Sequence, residues 1–329
     1  MSDVVNTFVV PIIRTDFIER CLETMHRHTP PGFQVVIIDQ TPEGVLKDIP
    51  SRMFDGYFRP YRNLGFAKAS NTGFKIAQGK VNEVFEHREY QEGLHKGFRW
   101  MELRNGDRLV LHGLLSTDFK FDPSFITTCN DDVEFINKRW WEGIIETFNK
   151  VETAVCVNPS CPKLPAWSMG TEEDVDLFPY EEDYTEEDYD SMLVHPEWGG
   201  EKVIDGICMW CTVFRTEAFE WVGYFDERFY PGAGEDYDYL GRSYKEGFRC
   251  VGTSRSWVYH HWGVSKDRMH EAKRAVVDPR LAWNKIYEIW PNGFDIWGKC
   301  PDRLPEVATM PLEIDYADIP KLWAGEAVS

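Results

Sequence analysis

Three segments near the start of the chain constrain the fold most. The apolar run "TFVVPII" is followed by the amphipathic "DFIERCLETMHRH" and then by a second apolar run, "FQVVIID". Continuous β-branched runs bury both faces of a strand, and a helix-period stretch between two such runs is the signature of a parallel crossover. The expectation is therefore an α/β protein with helices on both faces of a mostly parallel sheet. Asp16 is placed to cap the first helix, and "TPPG" at 29–32 stops it.

The alternation continues. "GYFRPYRNLGFAKASNTGFKIAQGK" (56–80) reads as a short strand, a turn at Asn63–Gly65 and a helix to about Gln78. Residues 81–122 break the rhythm and read as an insertion, a helix-like piece followed by a hairpin around Asn105-Gly106. The strand "SFITTC", the helix "NKRWWEGIIETFNK" and the strand "TAVCVNP" resume it. Beyond an acidic segment come "KVIDGICMWCTVFR" as one strand, "TEAFEWV" as a short helix, "GEDYDYLGRSYKEGF" as a helix, and "RCVGTSRSWVYHHWG" as a strand ending in paired histidines. Residues 1–265 form the main domain in this reading, and 266–329 a C-terminal extension packed on it.

Composition bounds the function. The 329 residues are 43% hydrophobic and 15% aromatic, enough for a large core. The net charge is −19, and 171–190 alone holds 11 acids and no base, which reads as a solvated loop on a mildly acidic body. A nucleic-acid acceptor is disfavoured, because phosphate binding needs Lys and Arg to release counterions; the exception would be a local basic face from Arg99, Arg104 and Arg108. No stretch approaches ~18 consecutive apolar residues, so no transmembrane segment is expected. The eight cysteines are scattered through a chain too large to need disulfide staples, which fits a reduced, cytoplasmic protein, with the tryptophans permitting peripheral membrane contact. Cys208 and Cys211 have zinc-ligand spacing, with Cys156 and Cys161 as conceivable partners, but an extended segment points residues three apart to opposite faces, which favours core thiols.

Polar residues gather where strands end. Asp39 closes the second strand, and ligands in open α/β sheets bind outside the carboxyl ends of strands. Asn130, Asp131 and Asp132 end another; they form either an Asx turn or a site for Mg2+ or Mn2+ that completes its shell with phosphate oxygens and water. Glu235 and Asp236 open a helix after Gly232-Ala233-Gly234, where a carboxylate is favoured by the helix dipole and can serve as a general base, or simply decorates the helix start. Of His260 and His261, adjacent in a strand, only one can enter a shared crevice.

In order along the chain, "VVPIIRTDFIERCLETM", "VVIIDQT", "NLGFAKASNTGFKIAQG", "CNDDVEF", "DGICMWCTVFRTEAFEWVGYFDERFYPGAGEDYDYLGRSYKEGFRC" and "VYHHWGVS" resemble the inverting glycosyltransferases of family 2, with the GT-A fold, and most of all their rhamnosyltransferase-type members. The match spans about residues 7–265 and leaves the two long inserts and the C-terminal extension unmatched. The resemblance implies a Rossmann-like sheet flanked by helices, a nucleoside-diphosphate sugar donor carrying UDP, dTDP or GDP, and a hydroxyl acceptor, a glycan. It implies Asp39 on the nucleotide base, Pro11 near the nucleotide floor, and Asn63, Gly65, Asn71 and Asp131 about the donor. Asn130 to Asp132 stand at the family's metal-binding Asp-x-Asp, Asp132 being the best ligand and His260 lying near diphosphate and metal. Asp236 matches the catalytic base and Glu235 its neighbour. Asn130 departs from the usual Asp. Two rival readings are a sugar-nucleotide nucleotidyltransferase, against which stands the lack of glycine in "PIIRTDFIERC", and a catalytically idle binding module on the same fold.

Overall fold

The computed structural model describes residues 5–261 apart from 14–15, 43, 47, 81–83, 90–95, 106–107, 165–174, 177–183, 195–202, 206–208, 230–231 and 233. The C-terminal extension expected at 266–329, Cys208, and the side chains of Arg104 and Arg108 lie outside the described residues.

Strand β1 (Asn6–Ile12), helix α1 (Ile18–His28) and strand β2 (Phe33–Asp39) form the expected crossover, with β1 and β2 parallel from Asn6↔Phe33 to Ile12↔Asp39. Strand β3 (Gly56–Pro60) adds parallel to β2, and α2 (Gly65–Ala77) follows. On the other side of β1 lies β7 (Phe125–Cys129), again parallel. These four strands are buried on both faces. Phe8, Val10 and Ile12 of β1 join one cluster with Leu22 and Met25 of α1 and with Trp140, Ile144 and Phe148 of α3 (Trp140–Lys150). Val9, between them, joins the opposite cluster with Phe74 of α2, Phe219 of α5 (Ala218–Trp221) and Tyr239 of α6 (Glu235–Lys245). The period of two along β1 thus feeds two helical layers, which is why its sequence is apolar at nearly every position. The α/β class expected from the alternation is the class observed.

Among the described residues the main sheet has eleven strands. Beyond β7 it continues with β13 (Cys211–Arg215), β9 (Ala154–Ser160), β14 (Arg249–Trp257) and β12 (Val203–Asp205); β13 runs antiparallel to both neighbours, and β9 and β14 are parallel. No helix among the described residues is long and apolar enough to cross a membrane.

Several local expectations change. The helix-like start of the insertion is strand β4 (Val84–Glu89), which pairs antiparallel with β5 (Phe98–Asn105); β5 and β6 (Arg108–Ser116) form the expected hairpin, and β6 docks antiparallel on β3. The insertion therefore extends the main sheet, since an unpaired β3 edge would leave a row of backbone groups without partners. The single strand expected over 202–215 is two, β12 at the sheet edge and β13 near its centre, with Met209 and Trp210 in a turn between. The cap position of α1 falls on Phe17 rather than Asp16, and Phe17 makes no side-chain cap bond.

The acidic segment is not wholly a loop. Val175–Asp176 forms strand β11 against β10 (Lys163–Leu164), and Glu186–Leu193 forms helix α4. Thr185 accepts from the Asp188 N–H, and the Asp188 carboxylate accepts from the Thr185 N–H at 2.8 Å, a reciprocal cap worth about 1 kcal/mol. Tyr189 and Met192 anchor the helix against Ile136, Trp257 and Tyr259. On its other side Glu186 and Asp190 pair with Arg139, and Glu186 also accepts from the Asn137 amide at 3.1 Å.

Candidate active site

The parallel pairing of β1 with β7 ends at Val9↔Thr128, whereas its pairing with β2 runs on to Ile12↔Asp39. A gap thus opens between β1 and β7 at their carboxyl ends, where β1 has neighbours reached by connections in opposite directions. This is the switch point at which open α/β sheets bind ligands. Pro11, buried and paired with Ile38, lines β1 beyond the last β7 partner, where its missing N–H costs no ladder bond to β7.

Asn130 to Asp132 follow β7 directly. The Asn130 N–H donates to the Trp210 carbonyl at 2.8 Å, and its carbonyl accepts the thiols of Cys21 at 3.6 Å and Cys129 at 3.3 Å. The backbone of the turn is therefore pinned from three elements. Asp131 and Asp132 are both buried.

Asp132 meets a histidine. After β14 the chain leaves the main sheet at Val258, and Tyr259–His260 form the short strand β15 against β8 (Val133–Glu134). The strand expected to run unbroken through the histidines is thus divided. His260 Nε2 lies 3.0 Å from Asp132 Oδ1, with the imidazole stacked on Trp210 at a centroid distance of 5.1 Å and an interplanar angle of 11°. His261 points the other way, 2.6 Å from Glu134 Oε1. Alternation along a strand makes the choice exclusive, and the tertiary pairing makes it His260.

Asp39 is fully buried, and its carboxylate organises the loop after β2. Oδ1 accepts from the Thr41 N–H at 2.8 Å and the Thr41 hydroxyl at 2.6 Å; Oδ2 accepts from the Val45 N–H at 2.9 Å and from the Tyr57 hydroxyl. Burial and the neighbouring carboxylate push the Tyr57 phenol well up, so it remains a donor. Arg59 reaches the Thr41 carbonyl at 2.8 Å and also the Pro42 carbonyl, closing the loop from beneath.

The loop connects to α2. Gln40 takes the Leu64 N–H on its side-chain oxygen at 2.7 Å, and Asn63 Oδ1 takes the Gly65 N–H at 2.8 Å. Gly65 has φ +71°, a left-handed start to the helix that a side chain would strain. Asn71 lies nearly two turns further along α2. Its amide donates to the Phe225 carbonyl at 2.8 Å and to Glu227 at 3.3 Å, and its oxygen accepts from the Phe225 N–H at 3.0 Å. Asn71 is a bracket between α2 and the 225–227 loop.

That loop leads to Asp236. Gly232 lies against Phe66 in the first turn of α2, where an added Cβ would sit 3.3 Å from the Phe66 Cβ. Gly234, with φ +100°, turns the chain into α6, so Glu235 and Asp236 stand at the start of that helix. The Tyr237 N–H donates to Asp236 Oδ1 at 2.9 Å. Burial nonetheless dominates over such backbone donors and raises the Asp236 carboxyl to about 6. The helix is fixed by Asp238 and Arg242, 2.8 Å apart, with the guanidinium also on the carbonyls of Val222 at 2.7 Å and Tyr224 at 2.9 Å.

The expected residues Pro11, Asp39, Asn63, Gly65 and Asn130–Asp132 therefore share the carboxyl edge of the sheet, and Gly232, three residues before Glu235, lies against Phe66 at the start of α2. Sequence reading missed Trp210, Cys21, Gln40, Tyr57 and Arg59. Cys21, Gln40 and Trp210 lie inside the segments that carry the resemblance but were given no role there, Tyr57 and Arg59 lie outside them, and each acts through a partner distant in the chain.

Among the described residues no group of three or more His, Cys, Asp or Glu could hold a metal ion by itself. Asp132 and His260 offer one hard oxygen and one imidazole nitrogen side by side, a donor set that fits Mg2+ or Mn2+ sharing its shell with phosphate oxygens and water. The thiols give no alternative centre among these residues. Cys211 faces Cys129 across β13 and β7, Cys250 faces Cys156 across β14 and β9, and all are buried and free.

No family model matches the sequence, and no curated protein does. Among solved structures the chain matches a crystal structure of GalNAc-T7 with UDP, GalNAc and Mn2+, with TM-score 0.51 and 12% identity over 88% of this chain and 49% of that one. The chain thus spans about half the length of that structure. The fold is that of the GT-A glycosyltransferases.

Proposed function

We propose that the protein is an inverting, metal-assisted glycosyltransferase, of the family 2 rhamnosyltransferase-like type, moving a sugar from a UDP, dTDP or GDP donor to a hydroxyl of a glycan. The observation that carries this reading is the Asp132–His260 pair at 3.0 Å beside the β1/β7 gap. The UDP and Mn2+ bound by GalNAc-T7 on the same fold support it.

In this reading Asp132, His260 and Asn130 would hold Mg2+ or Mn2+, with Asp131 beside the donor. The ion would supply Lewis-acid neutralisation of the diphosphate leaving group. Pro11 floors the nucleotide, the Asp39 loop lies at its base, and Asn63 and Gly65 border the sugar-diphosphate. Asp236 accepts the acceptor's hydroxyl proton as that oxygen bonds to the anomeric carbon and the bond to the diphosphate oxygen breaks. One displacement inverts the centre. A carboxyl at about 6 is ionised at neutral pH yet basic enough to take a proton from an attacking hydroxyl. Glu235 reinforces the negative charge beside it. The six described cysteines are free thiols, which supports action in a reducing, cytoplasmic compartment.

Thermal-shift titration with UDP, dTDP and GDP, each with and without Mn2+, tests the reading. One nucleotide should stabilise the protein in an ion-dependent manner, and its sugar conjugate should be slowly hydrolysed. Absence of stabilisation by all three nucleotides with either Mn2+ or Mg2+ would overturn it.

A further inference from the structure

The strands that bring His260 to Asp132 are only two residues long, β8 at Val133–Glu134 and β15 at Tyr259–His260. So short a ribbon has little backbone pairing to define its register, and a one-residue slip would present His261 to Asp132 in place of His260. With two histidines in a row, composition does not discriminate between the registers. Something else must.

The discriminating contacts lie on the far face. His261 Nε2 is 2.6 Å from Glu134 Oε1, and Glu134, itself buried, takes Arg20 Nε from α1 on the same oxygen at 2.7 Å. The His261 ring stacks on Phe17 at 4.9 Å, and the His261 backbone N–H donates to the Asp132 carbonyl at 3.0 Å. On the near face His260 is gripped by Asp132 and Trp210.

We propose that Arg20 and Glu134 are positioning residues that fix the ribbon register by capturing His261, and so deliver His260 to Asp132. A buried carboxylate that loses a close hydrogen-bonding partner is strongly disfavoured, so the slipped register, which would take His261 away from Glu134, is rejected. Helix α1 becomes the reference against which the candidate metal ligand is aligned. The inference rests on the reading above only for what His260 would hold.

Two measurements on Glu134→Gln test it. The first is Mn2+ titration without nucleotide, followed by electron paramagnetic resonance: affinity should fall ~10–100-fold, as when an outer-shell partner of a metal-bound histidine is lost. Arg20→Met should shift it in the same direction by less, and Glu134→Asp should lie between wild type and Glu134→Gln. The second is side-chain 15N NMR of metal-free protein, where the single His260 signal set of the wild type should broaden or double in Glu134→Gln. If wild type binds no Mn2+, the metal reading fails while the NMR measurement still decides the register. An unchanged His260 signal set in a folded Glu134→Gln protein would overturn the proposal, as would unchanged Mn2+ affinity in both variants of a wild type that binds the ion.

Discussion

His260 Nε2 lies 3.0 Å from Asp132 Oδ1, although 128 residues of chain separate them. Both are buried, and they close a gap that begins where β1 outruns β7. Each of them should therefore matter for ion binding more than any outer-shell group. Asp132→Asn and His260→Ala should each weaken Mn2+ binding by more than the ~10–100-fold typical of an outer-shell loss, measured by calorimetry. Binding within twofold of wild type in both variants would remove the pair from the metal site.

Asp236 should set the acid limb of the pH–rate profile. Its carboxyl is raised by burial to about 6, so kcat/KM should fall as pH drops through that value. Asp236→Asn should remove turnover while leaving nucleotide affinity near normal. Retained turnover would show that another group takes the proton.

The same residue should oppose stability. The folded value of about 6 exceeds the ordinary 3.8, so folding favours the protonated form. Whatever Asp236 contributes to stability is fully present below about 4 and is lost as pH rises through about 6. Asp236→Asn should accordingly melt higher than wild type near neutral pH, and the difference should vanish in acid. An Asn variant less stable at pH 7–8, about where the carboxylate is ionised, would contradict the burial argument.

Asp39 should be structural before it is anything else. Four donors already occupy its oxygens, about the capacity of a carboxylate. Asp39→Asn should destabilise the nucleotide-free protein by about 1–3 kcal/mol, the range for leaving buried donors unmatched. Chemical denaturation would measure it. A ligand-free variant as stable as wild type would show that the carboxylate is spared for a ligand.

The insertion can be tested at Gly113. A Cβ there would sit 2.0 Å from the Tyr57 carbonyl oxygen and 2.7 Å from the Phe58 Cα, across the β3–β6 pairing. Gly113→Ala should cost about 1–3 kcal/mol or more by overpacking, and should speed hydrogen exchange over Phe98–Ser116. Because Tyr57 also donates to Asp39, the loop after β2 should loosen with it. Unchanged exchange would mean that the insertion does not depend on β3.

The candidate site was legible in the sequence to the extent that polar residues end apolar strands. Asp39 after "VVII", Asn130–Asp132 after "FITTC" and Asp236 after a glycine turn were each placed by a local break in pattern. The bracket that Asn71 makes was not legible, because its amide meets the Phe225 backbone 154 residues further along the chain.

By itself the sequence determined the parallel α/β core, because strands buried on both faces and helices buried on one leave periodicities of two and 3.6 that neighbours in the chain carry. The Thr185–Asp188 cap of α4 spans only three residues, yet the acid-rich composition around it reads as a loop. Tertiary structure alone decided that 202–215 forms two strands on different parts of the sheet, that the insertion is an extension of it, and that His260 rather than His261 meets Asp132. Those outcomes depend on pairing and packing between residues far apart in the chain, and a two-residue strand is too short to leave a period in the sequence.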